Sequence, residues 1–305
     1  MLLTYLGPAG TFTEAALRTT PEAQQAGAQL RPEATVIAAL DAVRSGEAQA
    51  ALVPFENSVE GAVPSTLDEL ASGSPLQIRR EVLLPIRFAL LVRPGTAADD
   101  IKLVSGHPHS QPQCRHWLAD NLPHAHWRPA ASNADAAREV AAGTVDAALA
   151  GAFAAQTYGL AVLVDGVQDR DDAITRFVLV GPPGPVPTYT GTDRTTIVAF
   201  ELDDHPGALA EMLTEFAVRG VNMTRLESRP TGEGLGRYCF SIDFDGHIAE
   251  ERVGDVLMAL HRICADVRFL GSYPRADGSV ATVRRGVSDA EFREAAAWLA
   301  ELRRR

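Results

Sequence analysis

The segment from Gly181 to Asp193 divides the chain. It contains four prolines and three glycines in thirteen residues. Proline fixes φ and has no N–H to donate, so such a segment sustains neither a helix interior nor a central strand. Its composition is typical of a semi-extended linker. We therefore predict a first domain over residues 1–180, a linker over 181–193, a second domain over 194–273 and a tail over 274–305.

Short apolar runs alternate with helical patterns in the first domain. The predicted strands are Leu2–Leu6, Ala50–Val53, two within Gln77–Val92, Lys102–Ser105, Ala147–Ala150 and Val178–Val180. The predicted helices begin near Thr11, Val36, Gln113 and Asp135. This alternation is typical of α/β units on a mainly parallel sheet.

A ten-residue pattern occurs twice in this domain. Val43–Leu52 is repeated as Val140–Leu149, at a constant offset of 97 residues. Alanine is abundant, so part of the match could arise by chance. If it reflects repeated structure, the domain has two similar lobes, the second over about 76–168, and small molecules would bind in the cleft between them.

The second domain has a different order of elements. Strands are predicted at Thr195–Leu202, Val221–Glu227, Arg237–Phe244 and Val267–Tyr273, with helices at Pro206–Val218 and Glu250–Cys264. This β-α-β-β-α-β order is the ferredoxin-like pattern. In the tail, a helix over Ala290–Leu302 follows Ser288, whose spacing to Glu291 predicts a capping box.

Charge and composition exclude several classes of function. Asp and Glu number 39 against 28 Lys and Arg, which gives a net charge of −11 and argues against nucleic acid as a partner. Lys102 is the only lysine, so amine-based chemistry depends on one residue. The three cysteines predict no disulfide framework and lack zinc spacing, and we expect neither metal nor cofactor. No apolar run is long enough to cross a membrane and no signal peptide is evident, so we expect a cytoplasmic protein.

Four polar motifs stand at or beside strand ends. They are Gly7-Pro-Ala-Gly-Thr-Phe-Thr-Glu14, Pro54-Phe-Glu-Asn-Ser-Val-Glu-Gly61, the loop Ser105–Cys114 and Thr175-Arg-Phe177. The carboxyl ends of strands in an open α/β sheet are where ligands bind. Each motif alone also fits a structural role, as a helix cap, a polar turn or an ion pair. The paired histidines at 107 and 109 lack a third ligand, so a metal site is not indicated.

Taken in order, these motifs resemble those of the prephenate dehydratases of phenylalanine biosynthesis. Residues 194–273 resemble an ACT regulatory domain. The resemblance implies two α/β lobes like those of periplasmic binding proteins, with the active site between them. The implied reaction converts prephenate to phenylpyruvate with loss of CO2 and water and without a cofactor.

The resemblance also implies roles for individual residues. Thr175 would donate a hydrogen bond at the departing hydroxyl, Arg176 would hold a substrate carboxylate, Asn57 would orient that hydroxyl, and Phe177 would form a dry wall. Glu56 or Glu60 is expected to hold the loop that contains them, and N–H groups near Thr11 are expected to meet anionic groups. The predicted catalytic set is Thr11, Glu56, Asn57, Ser58, Ser105, Gln113, Thr175, Arg176 and Phe177.

One position departs from the family pattern. The family's third loop usually reads Ser-His-Pro followed, after four residues, by Gln-Cys. His107, Pro108 and Gln113 match, but Gly106 stands where the serine is expected. Either Ser105 or Ser110 would have to supply that hydroxyl.

In the second domain the resemblance implies feedback control by L-phenylalanine bound between subunits of a homodimer or homotetramer. The implied effector site comprises Gly207, Ala208, Leu209, Asn222, Met223, Leu226, Glu227 and Ser228. Two other functions stay open: an arogenate dehydratase, which performs the same chemistry on an amino-bearing substrate, and a non-catalytic amino-acid sensor.

Overall fold

The computed structural model describes residues 1–203, 205–232, 234 and 237–304. By internal contacts the chain forms two units. The first comprises Met1–Thr66 and Val82–Leu179, and the second comprises Leu67–Glu81 and Val180–Arg305.

The elements up to residue 100 are β1 Leu2–Leu6, α1 Phe12–Arg18, β2 Gln29–Glu33, α2 Val36–Arg44, β3 Ala50–Asn57, β4 Gly61–Ala62, α3 Pro64–Ala71, β5 Gln77–Pro85, β6 Ala89–Val92 and a 3-10 turn at Ala98–Asp100. Those from residue 103 to the linker are β7 Leu103–Gly106, α4 Ser110–Gln113, α5 Arg115–Asn121, β8 His126–Pro129, α6 Asn133–Ala141, β9 Ala147–Ala150, α7 Phe153–Tyr158, β10 Ala161–Asp165 and β11 Ile174–Gly181. The elements after the linker are β12 Asp193–Phe200, α8 Ala208–Val218, β13 Met223–Pro230, β14 Tyr238–Asp245, α9 Glu251–Ile263, β15 Asp266–Pro274 and α10 Asp289–Arg303.

Two mixed sheets form the first part of the fold. One has the order β2-β1-β3-β11-β5, with β4 paired to β3, and the other has the order β10-β6-β9-β7-β8. The predicted two-lobed α/β fold is therefore confirmed. The sheets are less parallel than predicted, because β6 runs antiparallel to both β9 and β10.

The ten-residue pattern that recurs at an offset of 97 residues corresponds to a structural repeat. Helices α2 and α6 have the same length and begin 97 residues apart. Their N-caps, Thr35 and Ser132, each accept a hydrogen bond from the backbone N–H three residues on. Strand β1 lies parallel between β2 and β3, and β7 lies parallel between β8 and β9. Each lobe is thus built on the same β-α-β-α-β core, in which the first helical segment is α1 in one lobe and α4 with α5 in the other.

Four strands are not predicted from the sequence: β2, β4, β8 and β10. Strand β4 has two residues and pairs only with β3, and the other three lie at a sheet edge. Strands β2 and β8 each contain a proline, which a sheet tolerates at its edge, and neither has a continuous apolar run. The helix predicted near Gln113 is two short helices, because Cys114 between them has φ −124° and ψ 16°.

The second unit contains the predicted β-α-β-β-α-β domain. Its antiparallel sheet has the order β13-β14-β12-β15. Helices α8 and α9 pack with the sheet around an apolar core that includes Phe216, Ile242 and Phe244. The capping box predicted for the last helix is present, with Ser288 and Glu291 bonded reciprocally.

The segment Leu67–Glu81 packs with this second unit, which the sequence does not predict. Arg194 of β12 donates to the Glu81 carboxylate at 2.6 Å, and both residues are buried. The backbone N–H of Ala276 donates to the other carboxylate oxygen at 2.8 Å. Among the described residues, no helix is long and apolar enough to cross a membrane.

Candidate active site

A cleft lies between the two lobes of the first unit. It consists of two adjoining cavities of about 630 and 600 Å³. Their walls come from loops that follow β1, β3 and β7, from β11, and from the start of α6. The cavities share the lining residues Leu6, Phe12, Pro54, His107 and Asn133. The size suits a small organic substrate.

The side-chain hydroxyl of Thr175 belongs to the lining of this cleft. Asn57 donates from Nδ2 to Thr175 Oγ1 at 2.8 Å. The orientation of that amide is fixed because Asn57 Oδ1 accepts hydrogen bonds from the backbone N–H groups of Val59 and Glu60. Thr175 Oγ1 therefore acts as an acceptor toward Asn57, which leaves its own proton available to a ligand.

Ser58 joins the β3–β4 loop to the start of β11. Its N–H donates to the carbonyl of Ile174 at 2.9 Å, and its Oγ accepts from the N–H of Ile174 at 3.0 Å. Ile174 directly precedes Thr175. Ser58 does not line either cavity, so its contribution to the site is to hold this backbone in place.

Side chains alternate along β11, as in any strand. Thr175 and Phe177 line the cavities, whereas Arg176 does not. The buried Arg176 guanidinium lies 3.7 Å from the Glu56 carboxylate and 4.9 Å from the centre of the Phe55 ring. Glu56 likewise lines neither cavity.

The segment after β7 contributes four polar residues to the lining of the cleft: His107, His109, Ser110 and Gln113. Gln113 lines one cavity and donates from Nε2 to the carbonyl of His109 at 3.0 Å. His107 lines both cavities. Burial, followed by the proximity of His109, holds the pKa of His107 below its usual value, while Glu60 opposes this shift.

The structure separates the two candidate serines. Ser105 lies within β7, has no exposed surface and donates to the Glu139 carboxylate at 3.3 Å. Ser110 lines the cleft. A Cβ atom placed on Gly106 would lie 2.7 Å from Ser110 Oγ. The Ser110 hydroxyl thus occupies the space next to Gly106 that a larger side chain would need.

Thr11 lines the larger cavity at the start of α1. It is the N-cap of that helix: its Oγ1 accepts from the Glu14 N–H at 3.3 Å. The Glu14 carboxylate accepts from the N–H of Gly10 rather than from that of Thr11, so the reciprocal bond of a regular capping box is shifted by one residue. The first turns of α1 and α6 line the same cavity.

Several lining residues were absent from the predicted site. They include Phe12, Glu33, His107, Ser132, Asn133 and Asp135. The 97-residue repeat could have found those of the second lobe, because it maps the β2–α2 loop of the first lobe onto the β8–α6 loop of the second.

The cleft has no strong cation in its wall. Among the described residues, no arginine or lysine lines either cavity. Glu33 and Asp135 are each paired with an arginine, at 2.6 Å in both cases. Within the described ranges, no group of three His, Cys, Asp or Glu side chains could hold a metal ion.

In the second unit, the predicted effector residues lie on two elements. Gly207 is the N-cap of α8, with φ +99°, and Ala208 and Leu209 follow it. Asn222, just before β13, donates to Asp245 at 3.0 Å. Met223, Leu226, Glu227 and Ser228 lie on β13, which is an edge strand. Leu209 and Leu226 are 36% and 38% exposed, so both apolar side chains have surface free for a ligand.

Two family models match the chain. Residues 3–184 match the prephenate dehydratase model, and residues 196–262 match the ACT domain model. Prephenate dehydratases from Mycobacterium marinum and Mycolicibacterium vanbaalenii are 49% and 51% identical to this chain. In each case the match covers 99% of this chain, with 95% and 98% of the relative respectively.

A crystal structure of prephenate dehydratase from Arthrobacter aurescens, in complex with L-Phe, is also similar. It is 49% identical, covers 100% of both chains and superposes with a TM-score of 0.95. The matches span both units of the fold and the whole cleft. The chain therefore belongs to the prephenate dehydratase family, with a catalytic domain followed by an ACT domain.

Proposed function

We propose that the cleft converts prephenate to phenylpyruvate with Thr175 as the hydrogen-bond donor at the departing hydroxyl. The observation that carries this role is the 2.8 Å bond from Asn57, which fixes Thr175 Oγ1 while leaving its proton free. The ring carboxylate leaves as CO2, and its bonding electrons enter the ring as the carbon–oxygen bond breaks. The hydroxide leaves as water, so one proton is consumed. A threonine hydroxyl is a weak acid, so we assign it hydrogen bonding or proton relay from solvent.

Apolar side chains favour the decarboxylation. Phe12, Phe88 and Phe177 line the cleft. The departing carboxylate loses its charge as CO2 forms. A poorly solvating wall raises the free energy of the charged ground state more than that of the less charged transition state.

We propose a role for Arg176 that differs from the one the resemblance implies. Since its guanidinium lies beside Glu56 and Phe55, we propose that it holds β3 next to β11 rather than binding a carboxylate. Glu56 and Ser58 act with it as positioning residues. This assignment leaves Thr11, Asn57, Gln113, Thr175 and Phe177 to face the substrate.

We propose that L-phenylalanine acts as a feedback effector at the ACT domain, on the predicted residues of α8 and β13. The L-Phe complex of the Arthrobacter aurescens relative supports this, as do the exposed Leu209 and Leu226. The expected assembly is a homodimer or homotetramer formed through ACT domains. We also propose the division at 1–180, 181–193, 194–273 and 274–305, which the family matches over residues 3–184 and 196–262 support, together with a cytoplasmic location.

A prediction for Thr175 tests the enzyme function. Thr175→Val keeps the shape of the side chain but removes the donor, so we expect kcat to fall by about 10²-fold or more, with a smaller change in KM. Thr175→Ser, which keeps a hydroxyl, should retain much of the activity. The measurement is the appearance of phenylpyruvate absorbance from prephenate.

An unchanged kcat in Thr175→Val would remove this residue from the mechanism. The same assay with arogenate distinguishes the alternative substrate. Wild-type protein that turns over neither compound would favour the amino-acid sensor.

A second prediction concerns which serine replaces the hydroxyl that the family usually has at the position of Gly106. Because Ser110 lines the cleft and Ser105 does not, Ser110→Ala should lower kcat/KM by about tenfold, whereas Ser105→Ala should leave it within about twofold. The two variants are matched controls for each other, since each loses one buried hydroxyl. The reverse pattern of kcat/KM values would assign the role to Ser105.

A third prediction concerns regulation. Gly207 has φ +99°, a conformation that strains any residue with a Cβ, so Gly207→Ala should distort the start of α8 and abolish inhibition by L-phenylalanine. Calorimetry should show weakened binding of L-phenylalanine. The matched control is Gly278→Ala, a substitution at φ +65° in the tail, which should leave the response unchanged. Full inhibition of the Gly207→Ala variant would place the effector site elsewhere.

A further inference from the structure

His107 lies where the two cavities of the cleft meet. Of the five residues that line both, Leu6, Phe12 and Pro54 are apolar, and only His107 and Asn133 carry polar side chains. Asn133 Oδ1 already accepts the backbone N–H of His107 at 2.8 Å. The imidazole is therefore the main polar side chain that a ligand meets at this junction.

The other polar groups of His107 are occupied by its own surroundings. Its carbonyl accepts from Ser110 N and from Ser110 Oγ, at 2.8 and 2.7 Å. Its ring Nδ1 accepts from the backbone N–H of His109 at 3.3 Å. In a neutral imidazole whose Nδ1 accepts, the proton is on Nε2. Within the described ranges 1–203, 205–232, 234 and 237–304, no protein group bonds Nε2.

The surroundings also keep this imidazole neutral. Burial and the neighbouring His109 lower the pKa of His107, against the smaller opposing effect of Glu60. A neutral N–H can donate a hydrogen bond to a carboxylate. A full positive charge would bind that carboxylate more strongly, and most strongly in the ground state, before CO2 leaves. Interactions that favour the ground state over the transition state slow the chemical step.

We propose that His107 is a substrate-binding residue whose Nε2–H donates a hydrogen bond to a carboxylate oxygen of prephenate. This role rests on the proposed function and deepens it, since no arginine or lysine of the described chain lines the cleft. This role gives a reason for the four hydrogen bonds that fix His107, three of them within the loop and one to Asn133 of α6. The imidazole transfers no proton, so the balance of the reaction is unchanged.

Kinetics of His107 variants test the assignment. His107→Ala should raise KM for prephenate by about tenfold with kcat within twofold, as expected when an interaction made equally in both states is lost. His107→Gln can present an amide N–H in place of Nε2–H and should bring KM back to within about threefold. His124→Ala, an exposed histidine outside the cleft, is the matched control and should behave as wild type.

The outcomes separate this inference from the proposed function. An unchanged KM in His107→Ala, or a raised KM that His107→Gln does not lower, would overturn it, with circular dichroism confirming that both variants fold. Wild-type protein without activity would instead refute the proposed function.

Product inhibition shows which carboxylate of prephenate His107 binds. Phenylpyruvate keeps the side-chain carboxylate but has lost the ring carboxylate as CO2. Weaker inhibition of His107→Ala assigns the side-chain carboxylate, and unchanged inhibition with raised KM assigns the one that leaves.

A second observation concerns helix α3, which starts at the cleft and ends in the second unit. Pro64, its first residue, lines the cleft. Arg229 of β13 donates from Nε and a terminal nitrogen to the two oxygens of Asp68, both at 2.8 Å. Arg268 of β15 donates to the carbonyls of Ser72 and Gly73, just after the helix, at 2.7 and 3.2 Å. Two arginines of the ACT sheet thus hold the end of this helix.

We infer that the Asp68–Arg229 pair links effector binding to the catalytic loop. Arg229 directly follows Glu227 and Ser228, which belong to the proposed effector site. A ligand that shifts this part of β13 would displace Asp68 on α3. Only β4 and Val63 separate α3 from the β3–β4 loop, which directly follows Asn57. Because two N–H groups of Arg229 bond the two oxygens of Asp68, the pair fixes the relative orientation of the side chains as well as their distance. This inference rests on the proposed regulation by L-phenylalanine.

Asp68→Asn tests the link, because an amide cannot accept both arginine bonds. We expect L-phenylalanine to bind with Kd within about threefold of wild type, while maximal inhibition falls by half or more. Asp41→Asn, which breaks an exposed ion pair with Arg44 on α2, is the matched control. Full inhibition in Asp68→Asn would overturn the link. A wild-type enzyme that L-phenylalanine does not inhibit would refute the proposed regulation instead.

Discussion

The hydrogen bond from Asn57 to Thr175 is the contact on which the candidate site depends. It joins residues 118 positions apart and ties the loop after β3 to the adjoining strand β11. Asn57 can make this bond only because the turn that follows uses its amide oxygen, which sets the orientation of the amide. Ser58 and the Arg176–Glu56 pair hold the same two strands. The Thr175 donor is therefore held by two adjoining strands and one short loop, which favours a fixed donor geometry.

The repeated β-α-β-α-β core explains why a cleft exists at this place. In each lobe a capped helix follows the second strand, and the loop before that helix faces the cavity. Two copies of one unit thus present equivalent loops to a shared space. The copies then diverge: the loop after β7 carries His107, Ser110 and Gln113, whereas the loop after β1 carries Thr11. Divergence of loops on a shared scaffold is the usual way a fold gains a specific site.

The second unit is held together by arginine pairs that involve a segment distant in sequence. Glu81 and Asp68, which come early in the chain, are bonded by Arg194 and Arg229 of the ACT sheet. The presence of only one lysine bears on these ion pairs. Nearly all cations of this protein are guanidinium groups, which can bond a carboxylate through two parallel N–H groups, as Arg229 does with Asp68.

The sequence by itself determined the two kinds of fold, the repeat and five of the residues that line the cleft, namely Thr11, Asn57, Gln113, Thr175 and Phe177. These depend on local periodicity, on proline and glycine, and on short ordered motifs. Tertiary structure decided what those patterns leave open. Arg176 follows Thr175 directly, yet strand alternation turns it away from the cavity toward Glu56. Ser105 and Ser110 both neighbour Gly106 in sequence, but the pleat of β7 buries Ser105 against Glu139, and the turn after His107 brings Ser110 to the cleft. The direction of a side chain depends on strands and turns that meet only in the folded protein, so spacing along the chain could not assign these roles.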